Sequence, residues 1–364
     1  MKVVLDNIIF SLQSSGGVSS YWSELINHYL TKRDFHNFLL FQNKSVNIYP
    51  TVVYALNKDT FLPTIALRYI PFLKKLPAPC IFHSSYYRFS LRKKVINIVT
   101  VHDFTYEIKK NGILRYIHIW QKKFAIKNAD GIICVSENTR KDLFKFYPKI
   151  KKDIVKVIHN GVSAKFHPTT EPNKEVNKKI IDASNDRPFF LFVGSRASYK
   201  NFHIAIQILE KLHQKYNLII VGGGKLNYNE QNSLKEYKSY VYHFEDISSK
   251  DLCWLYNKAF AFLYPSSYEG FGIPVVEAMK AGCPVISTKT SSIEEISSNA
   301  AILVDNIAIE DFLNAINKLE NDDFRQLLIS KGLTHSKNFS WEKCAEETYS
   351  FYQEIYEKNI EKIN

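Results

Sequence analysis

The stretch SSYEGFGIPVVEAMKAGCPVI, residues 266–286, carries two carboxylates, Glu269 and Glu277, in a setting that is otherwise largely glycine, proline and apolar. Carboxylates are seldom buried without a partner, so this pair implies a ligand or a cation. Pro274 is placed to open a helix, PVVEAMKA, that Gly282 ends. Glu269 then falls in the preceding loop and Glu277 in the first helical turn. Gly270 and Gly272 let a ligand approach the main chain closely. The N–H groups of Glu269–Gly270–Phe271–Gly272–Ile273 gather at a positive helix end, which suits a phosphate or sugar hydroxyls. Two acceptors flanking a ring of donors fit a molecule with phosphates in its middle and hydroxyls at both ends, the form of a nucleotide sugar. Taken singly, each glutamate has a plainer role, Glu277 as a dipole-stabilising helix acid and Glu269 as a turn residue.

The elements that must position such a site are legible as an alternation. Short β-branched runs (KVVLDN, NFLLF, VINIVTV, GIICVS, IVKVIHNG) alternate with helical patterns, and a second series begins at FFLFVG and runs through NLIIVGGG, YVYHF, AFLYPS, CPVIST and AILVD. This predicts an α/β chain of two Rossmann-like, doubly wound domains facing a central cleft. The expected boundaries are 1–168 for the first domain, a polar linker over 169–186, 187–340 for the second domain, and a last helix over 341–364 that returns to the first. Ligands of open parallel sheets bind beyond the carboxyl ends of strands. Gly16-Gly17, His102-Asp103, Ser136-Glu137, Asn160-Gly161, Arg196, Gly222-Gly223-Gly224 and Glu269 all fall at such ends. The fragment VGGGK lacks the full spacing of a phosphate loop and reads as a strand-end turn.

Composition narrows the class. The 364 residues are 45% hydrophobic and 23% charged, enough for two ordinary cores, and no window reaches the roughly 18 apolar residues of a membrane-spanning helix. Asp6 interrupts the apolar start, so MKVVLDNIIF reads as a first strand and not a signal peptide. The five cysteines (80, 134, 253, 283, 344) are scattered, without a Cys-x-x-Cys pair, which favours reduced thiols and a cytoplasmic setting. Residues 1–170 hold 26 Lys and Arg against 10 Asp and Glu, and the remainder 22 against 26. That asymmetry points to an anionic partner for the first half.

Together the motifs resemble family 4 retaining glycosyltransferases of the GT-B fold, in particular bacterial mannosyltransferases. The resemblance rests on GGVSSYW near the start, TVHDFTYE at 100–107, CVSENTRKDL at 134–143, VIHNGVSAKFHP at 157–168, FVGSRASYKNF at 192–202, the Glu-x-Phe-Gly stretch, and FSWEKCAEETYSFY at 339–352. Glu294 in SSIEEI departs from the family, which often has proline there. By resemblance, Glu277 holds the ribose diol, and Glu269 binds donor-sugar hydroxyls with the main chain from Gly270 through Phe271 and Gly272 to Ile273. Arg196 and Lys200 act as a basic pair on the pyrophosphate. Gly16 and Gly17 admit the diphosphate, His102 lies beside the transferred sugar, and Asp103 lies next to the acceptor. His243 and Phe244 are expected to contact the base through their main chain. Fixed cations and N–H dipoles would stabilise the departing diphosphate, so neither a metal nor a cofactor is expected.

The implied activity is transfer of a hexose, mannose preferred, from GDP-mannose to a lipid-diphosphate-linked saccharide in O-antigen or capsule assembly, at the inner face of an anionic membrane. Two alternatives are a nucleotide-sugar 2-epimerase of similar fold and a non-enzymatic basic protein binding membrane or nucleic acid. No nucleic-acid-binding motif supports the last, so nucleic acid is not expected as a partner. Residues 113–127, ILRYIHIWQKKFAIK, predict a helix with Ile113, Ile117, Trp120 and Phe124 on one face and Arg115, His118 and Lys122 opposite. The expectation is that the apolar face packs inward and the basic face, with Lys123 and Lys127 on its flank, meets solvent or the membrane.

Overall fold

The computed structural model describes residues 1–32, 35–47, 63–109 and 112–363. The chain divides into two units, one of residues 1–161 with 340–364 and one of residues 162–339. Each contains a six-stranded sheet whose paired strands are all parallel.

In the first unit the strands are β1 (Lys2–Asp6), β2 (Phe38–Phe41), β3 (Cys80–Ser84), β4 (Val95–Val101), β5 (Gly131–Cys134) and β6 (Val155–Val157), in the order β2-β1-β3-β4-β5-β6. The central strands are buried along their whole length, as VINIVTV of β4 is, because helices cover both faces of a parallel sheet. The order reverses between β1 and β3, and the helix Gly17–Lys32 follows β1 at that switch point. The last helix, Trp341–Ile363, packs on this unit: the Tyr29 hydroxyl donates to the Ala345 carbonyl at 3.1 Å. Fully buried His83 bridges the Tyr352 hydroxyl at 2.6 Å and Thr100 Oγ1 at 2.9 Å.

The second unit holds β7 (Phe189–Val193), β8 (Asn217–Val221), β9 (Val241–Phe244), β10 (Ala261–Tyr264), β11 (Val285–Thr288) and β12 (Ile302–Val304), ordered β12-β11-β10-β7-β8-β9. Its switch point lies between β7 and β10. The apolar sides of Phe190, Phe192, Leu218, Ile220, Leu263 and Ile286 join those of the helices Phe202–Leu212 and Ile309–Leu319 in one core. Residues 169–186, read from composition as a linker, fall inside this unit, and Lys178–Asp186 is a helix. Asn177 caps it, accepting from the Lys179 N–H, and Ile180 and Ala183 are buried. A polar stretch with few apolar residues still made a helix because those few share one face.

The helix Ile113–Lys127 is present, but it faces the opposite way from the expectation. Ile117, Trp120 and Phe124 are exposed and His118, Gln121 and Lys122 are buried; the side chain of Ile113 lies outside the described residues. The reversal has a local cause. Lys122 is fully buried because its Nζ pairs with Glu107 Oε2 at 2.9 Å and donates to the Asp103 carbonyl at 2.9 Å, which satisfies a charge that otherwise could not leave water. Among the described residues no helix is long and apolar enough to cross a membrane.

Candidate functional site

The second unit places its site residues at the switch point. The chain leaves β7 through Gly194 and Arg196 and makes a short turn, Ser198–Lys200, before the helix Phe202–Leu212. Beside it, the loop after β10 carries Glu269. Lys200 Nζ lies 2.5 Å from Glu269 Oε1 and 2.9 Å from the Tyr264 hydroxyl. The Glu269 backbone is fixed on both sides: its N–H donates to Ser291 Oγ at 2.8 Å, and its carbonyl accepts from Ser292 Oγ at 2.9 Å. Ser292 Oγ also reaches the Phe271 carbonyl at 3.0 Å. Gly272, at φ +99°, turns the chain into the helix Ile273–Lys280; an L side chain there would be strained by that backbone conformation, and its Cβ, 2.7 Å from Ile293 Cδ1, would push that methyl aside.

The helix starts at Ile273, one residue earlier than expected, so Glu277 is its fifth residue and opens the second turn. The Tyr256 hydroxyl donates to its Oε2 at a long 3.4 Å. Burial pushes the Glu277 carboxyl up to about 7, and the Tyr256 hydrogen bond offsets that only in part. An acid so placed gains from any ligand that offers it two hydroxyl donors.

Arg196 and Lys200 have different partners. Arg196 Nη1 donates to the Gly222 carbonyl at 2.8 Å, and Nη2 to the carbonyls of Gly223, Gly224 and Lys225 at 3.2, 2.8 and 2.8 Å. Glu230 Oε2 is 3.0 Å from Nε. Glycines 222–224 adopt φ of +78°, +76° and +68°, and this run aims their carbonyls at the guanidinium; a Cβ on Gly223 would meet Arg196 Nη1 at 2.5 Å. His243 and Phe244 join the same turn, through His243 Nε2 at 3.3 Å from the Gly222 carbonyl and the Gly222 N–H donating to the Phe244 carbonyl at 2.8 Å. VGGGK is therefore an arginine cradle, with more structure than a plain strand-end turn.

The first unit places its candidates at the ends of β1 and β4. Gly17 begins the helix Gly17–Lys32, and the Gly16 carbonyl accepts from Ser19 Oγ at 3.0 Å and the Ser20 N–H at 2.9 Å. His102 stands edge-on to the Tyr21 ring at 5.0 Å. Burial pushes its imidazole down to about 4, with Asp103 opposing and Lys122 reinforcing the shift, so it is neutral near pH 7. Asp103 Oδ1 accepts from the Thr105 N–H at 2.8 Å, which fixes the carboxylate in the turn.

Sequence reasoning missed Tyr256, Tyr264, Ser291, Ser292 and Glu230. The serines follow β11 in TKTSS and carried the same strand-end signal as the residues it did select. The tyrosines sit within ordinary apolar runs and carried none.

Known proteins match both units. Residues 15–166 match the model of glycosyltransferase family 4, and residues 173–333 that of glycosyl transferases group 1. The chain is 29% identical to O-antigen chain mannosyltransferase B of Escherichia coli over 173 residues, 45% of this chain and 45% of that protein. It is 30% identical to an uncharacterized glycosyltransferase of Methanocaldococcus jannaschii over 266 residues, 71% of this chain and 68% of that one. Sucrose-phosphate synthase from Thermosynechococcus elongatus superposes with a TM-score of 0.74 at 19% identity, covering 98% of this chain and 99% of the other. With both sheets parallel, both units matched and the glutamate pair set at a switch point, the chain belongs to glycosyltransferase family 4 and has the GT-B fold.

Proposed function

We propose that this glycosyltransferase moves a hexose, mannose preferred, from GDP-mannose to a lipid-diphosphate-linked saccharide, with retention of anomeric configuration and without a metal. The observation that carries the reading is the Lys200–Glu269–Tyr264 cluster, followed along the chain by half-buried Glu277 on the helix Ile273–Lys280. The 2.5 Å ion pair is an exchangeable one: a donor diphosphate offers Lys200 a stronger anion, and its departure frees Glu269 for sugar hydroxyls. Glu277 takes the ribose diol, whose two donors stabilise the ionised carboxylate. When the bond from sugar C1 to the phosphate oxygen breaks, the electron pair leaves with the nucleoside diphosphate, and Lys200 and the positive end of the helix Ile273–Lys280 stabilise that charge. Arg196 adds to this only by giving up the carbonyls of the glycine turn. The acceptor hydroxyl oxygen bonds C1 on the face the diphosphate leaves, and its proton passes to the departing phosphate oxygen.

Mannose and O-antigen assembly are favoured by the name of the Escherichia coli relative. A lipid-linked acceptor at the inner, anionic membrane face is favoured by the excess of 26 basic over 10 acidic residues in 1–170. A thermal-shift screen of nucleoside diphosphates and their sugars tests the donor. A ligand at 100 times its Kd stabilises by about 2.7 kcal/mol, so GDP and GDP-mannose should raise Tm above their uridine counterparts. A larger rise with UDP-sugars overturns the choice of donor, and loss of transfer on adding EDTA overturns metal independence. Turnover of donor with no acceptor present would mark an epimerase.

A further inference from the structure

A helix on the surface of a folded protein ordinarily turns its apolar stripe inward and its charges outward. Ile113–Lys127 does the reverse. Tyr116, Ile117, Trp120 and Phe124 are 67%, 41%, 55% and 41% exposed, and the Trp120 and Phe124 rings touch with centroids 4.5 Å apart. The other side is locked. His118 stacks on Tyr106 at 3.8 Å, Gln121 donates to the carbonyls of Arg68 and Tyr87, and Lys122 is held by Glu107. The helix cannot roll its stripe inward without breaking all of these.

Positions 116, 117, 120, 123, 124 and 127 follow helical spacing and form one face. Its two polar members are exposed Lys123 and Lys127, and the helix contains no acidic residue. Neighbouring segments repeat the composition. Leu73 and Leu91 are exposed beside exposed Lys74, Lys75, Lys93 and Lys94, and Arg92 ties the two segments together by donating to the Leu73 and Lys74 carbonyls at 3.0 Å. A contiguous exposed apolar ridge marks an interaction surface. Aromatic rings flanked by lysines and without carboxylates match the interface of an anionic bilayer, where rings sit at headgroup depth and lysines reach lipid phosphates.

We propose that this ridge is a membrane wedge: Tyr116, Ile117, Trp120 and Phe124 enter the headgroup region of an anionic bilayer, with Lys123 and Lys127 on the phosphates. The proposal rests on the membrane-acceptor reading above and changes what holds the protein there, from surface charge to apolar insertion. It also removes Lys122 from the lipid-facing set, since that lysine is internal.

Trp22, Trp254 and Trp341 are buried, so Trp120 is the exposed one of four tryptophans and its emission reports insertion directly. With phosphatidylglycerol vesicles the protein should co-sediment, its emission should shift to the blue, and acyl-brominated lipid should quench it. Ile117→Ser combined with Phe124→Ser should weaken partitioning roughly 100-fold, from about 25 cal/mol per Å² of apolar surface no longer buried, and should abolish the shift. Vesicle binding with unshifted emission, or binding unaffected by the double substitution, overturns the wedge and leaves docking by charge alone. Equal partitioning into phosphatidylcholine overturns the anionic bilayer as occupant. A dimer in sedimentation velocity that the double substitution disperses assigns the ridge to a second copy and overturns it as well. Transfer to a water-soluble saccharide acceptor, which the substitutions should leave unchanged, reads the catalytic proposal separately.

Discussion

The two units treat their inward-facing carboxylates differently. In the first, Asp6 pairs with Arg88 at 3.0 Å and Glu107 with Lys122 at 2.9 Å, and all four side chains are at most 4% exposed. Asp6 also accepts from Ser84 Oγ at 2.8 Å, so the pair joins the ends of β1 and β3. In the second, Glu269 meets Lys200 with both side chains 12–13% exposed, and the partner of Glu277 is a tyrosine at 3.4 Å. A carboxylate held by another fully buried charge is committed to the fold, because losing either member strands the other in low dielectric. A carboxylate at an open strand end, held by one flexible lysine or one long hydrogen bond, is free to exchange that partner for a ligand. The contrast marks Asp6 and Glu107 as acids of the fold and leaves Glu269 and Glu277 as the acids that the proposed function assigns to a ligand.

The sharpest way to break the comparison is to remove one cation from each kind of pair. Lys122→Met should strand Glu107 and cost about 3–5 kcal/mol, visible as a large fall in Tm or loss of soluble protein. Lys200→Met should leave Tm nearly unchanged and lower kcat roughly 100- to 1000-fold, as for a lost stabiliser of leaving-group charge. Comparable destabilisation by the two would erase the distinction.

Glu277→Ala sharpens it further. Hydrogen bonds to a charged group contribute about 1.5–3 kcal/mol, so the donor KM should rise roughly 10- to 100-fold with a smaller change in kcat. Unchanged donor affinity in a folded variant would return Glu277 to the structural class.

The smallest effect is a dependence on pH. With its carboxyl pushed up to about 7 in the free protein, Glu277 must lose a proton to accept the ribose hydroxyls. Donor affinity should therefore weaken as pH falls below about 7, by at most about tenfold per unit. Stability has the opposite sign. Between the ordinary carboxyl value of 4.5 and about 7 the folded state binds the extra proton, so this group's contribution is fully present at low pH and is lost as pH rises through that window. Glu277→Gln should flatten both dependences; a Tm profile between pH 5 and 8 identical to the parent's would refute the assignment.

The alternation of strands and helices was legible because each parallel strand is a short, mostly apolar run rich in β-branched or aromatic residues, and Arg196, Lys200, Glu269 and Glu277 were selected by strand-end position and motif. Their grouping was not legible. Lys200 and Glu269 are 69 positions apart and meet because β10 returns to the other side of β7, and strand order leaves no local mark. The same limit hid the facing of Ile113–Lys127: periodicity shows that a helix has two faces, but which one is buried was decided by Glu107, an acid outside the helix. The glycine turn after β8 read as a bland bend because its guest, Arg196, arrives from 26 residues upstream.

The first unit is assembled from both ends of the chain, with the whole second unit inserted between residues 161 and 340. During synthesis the ribosome must deliver about 180 further residues before the Trp341–Ile363 helix emerges, roughly 10 to 35 s at 5–20 residues per second. Over that interval the second unit is free to fold, while Tyr29 lacks the Ala345 carbonyl and His83 lacks Tyr352. The amino-terminal strands thus wait with a buried polar seam open, a nascent chain whose first-made part is the last to close.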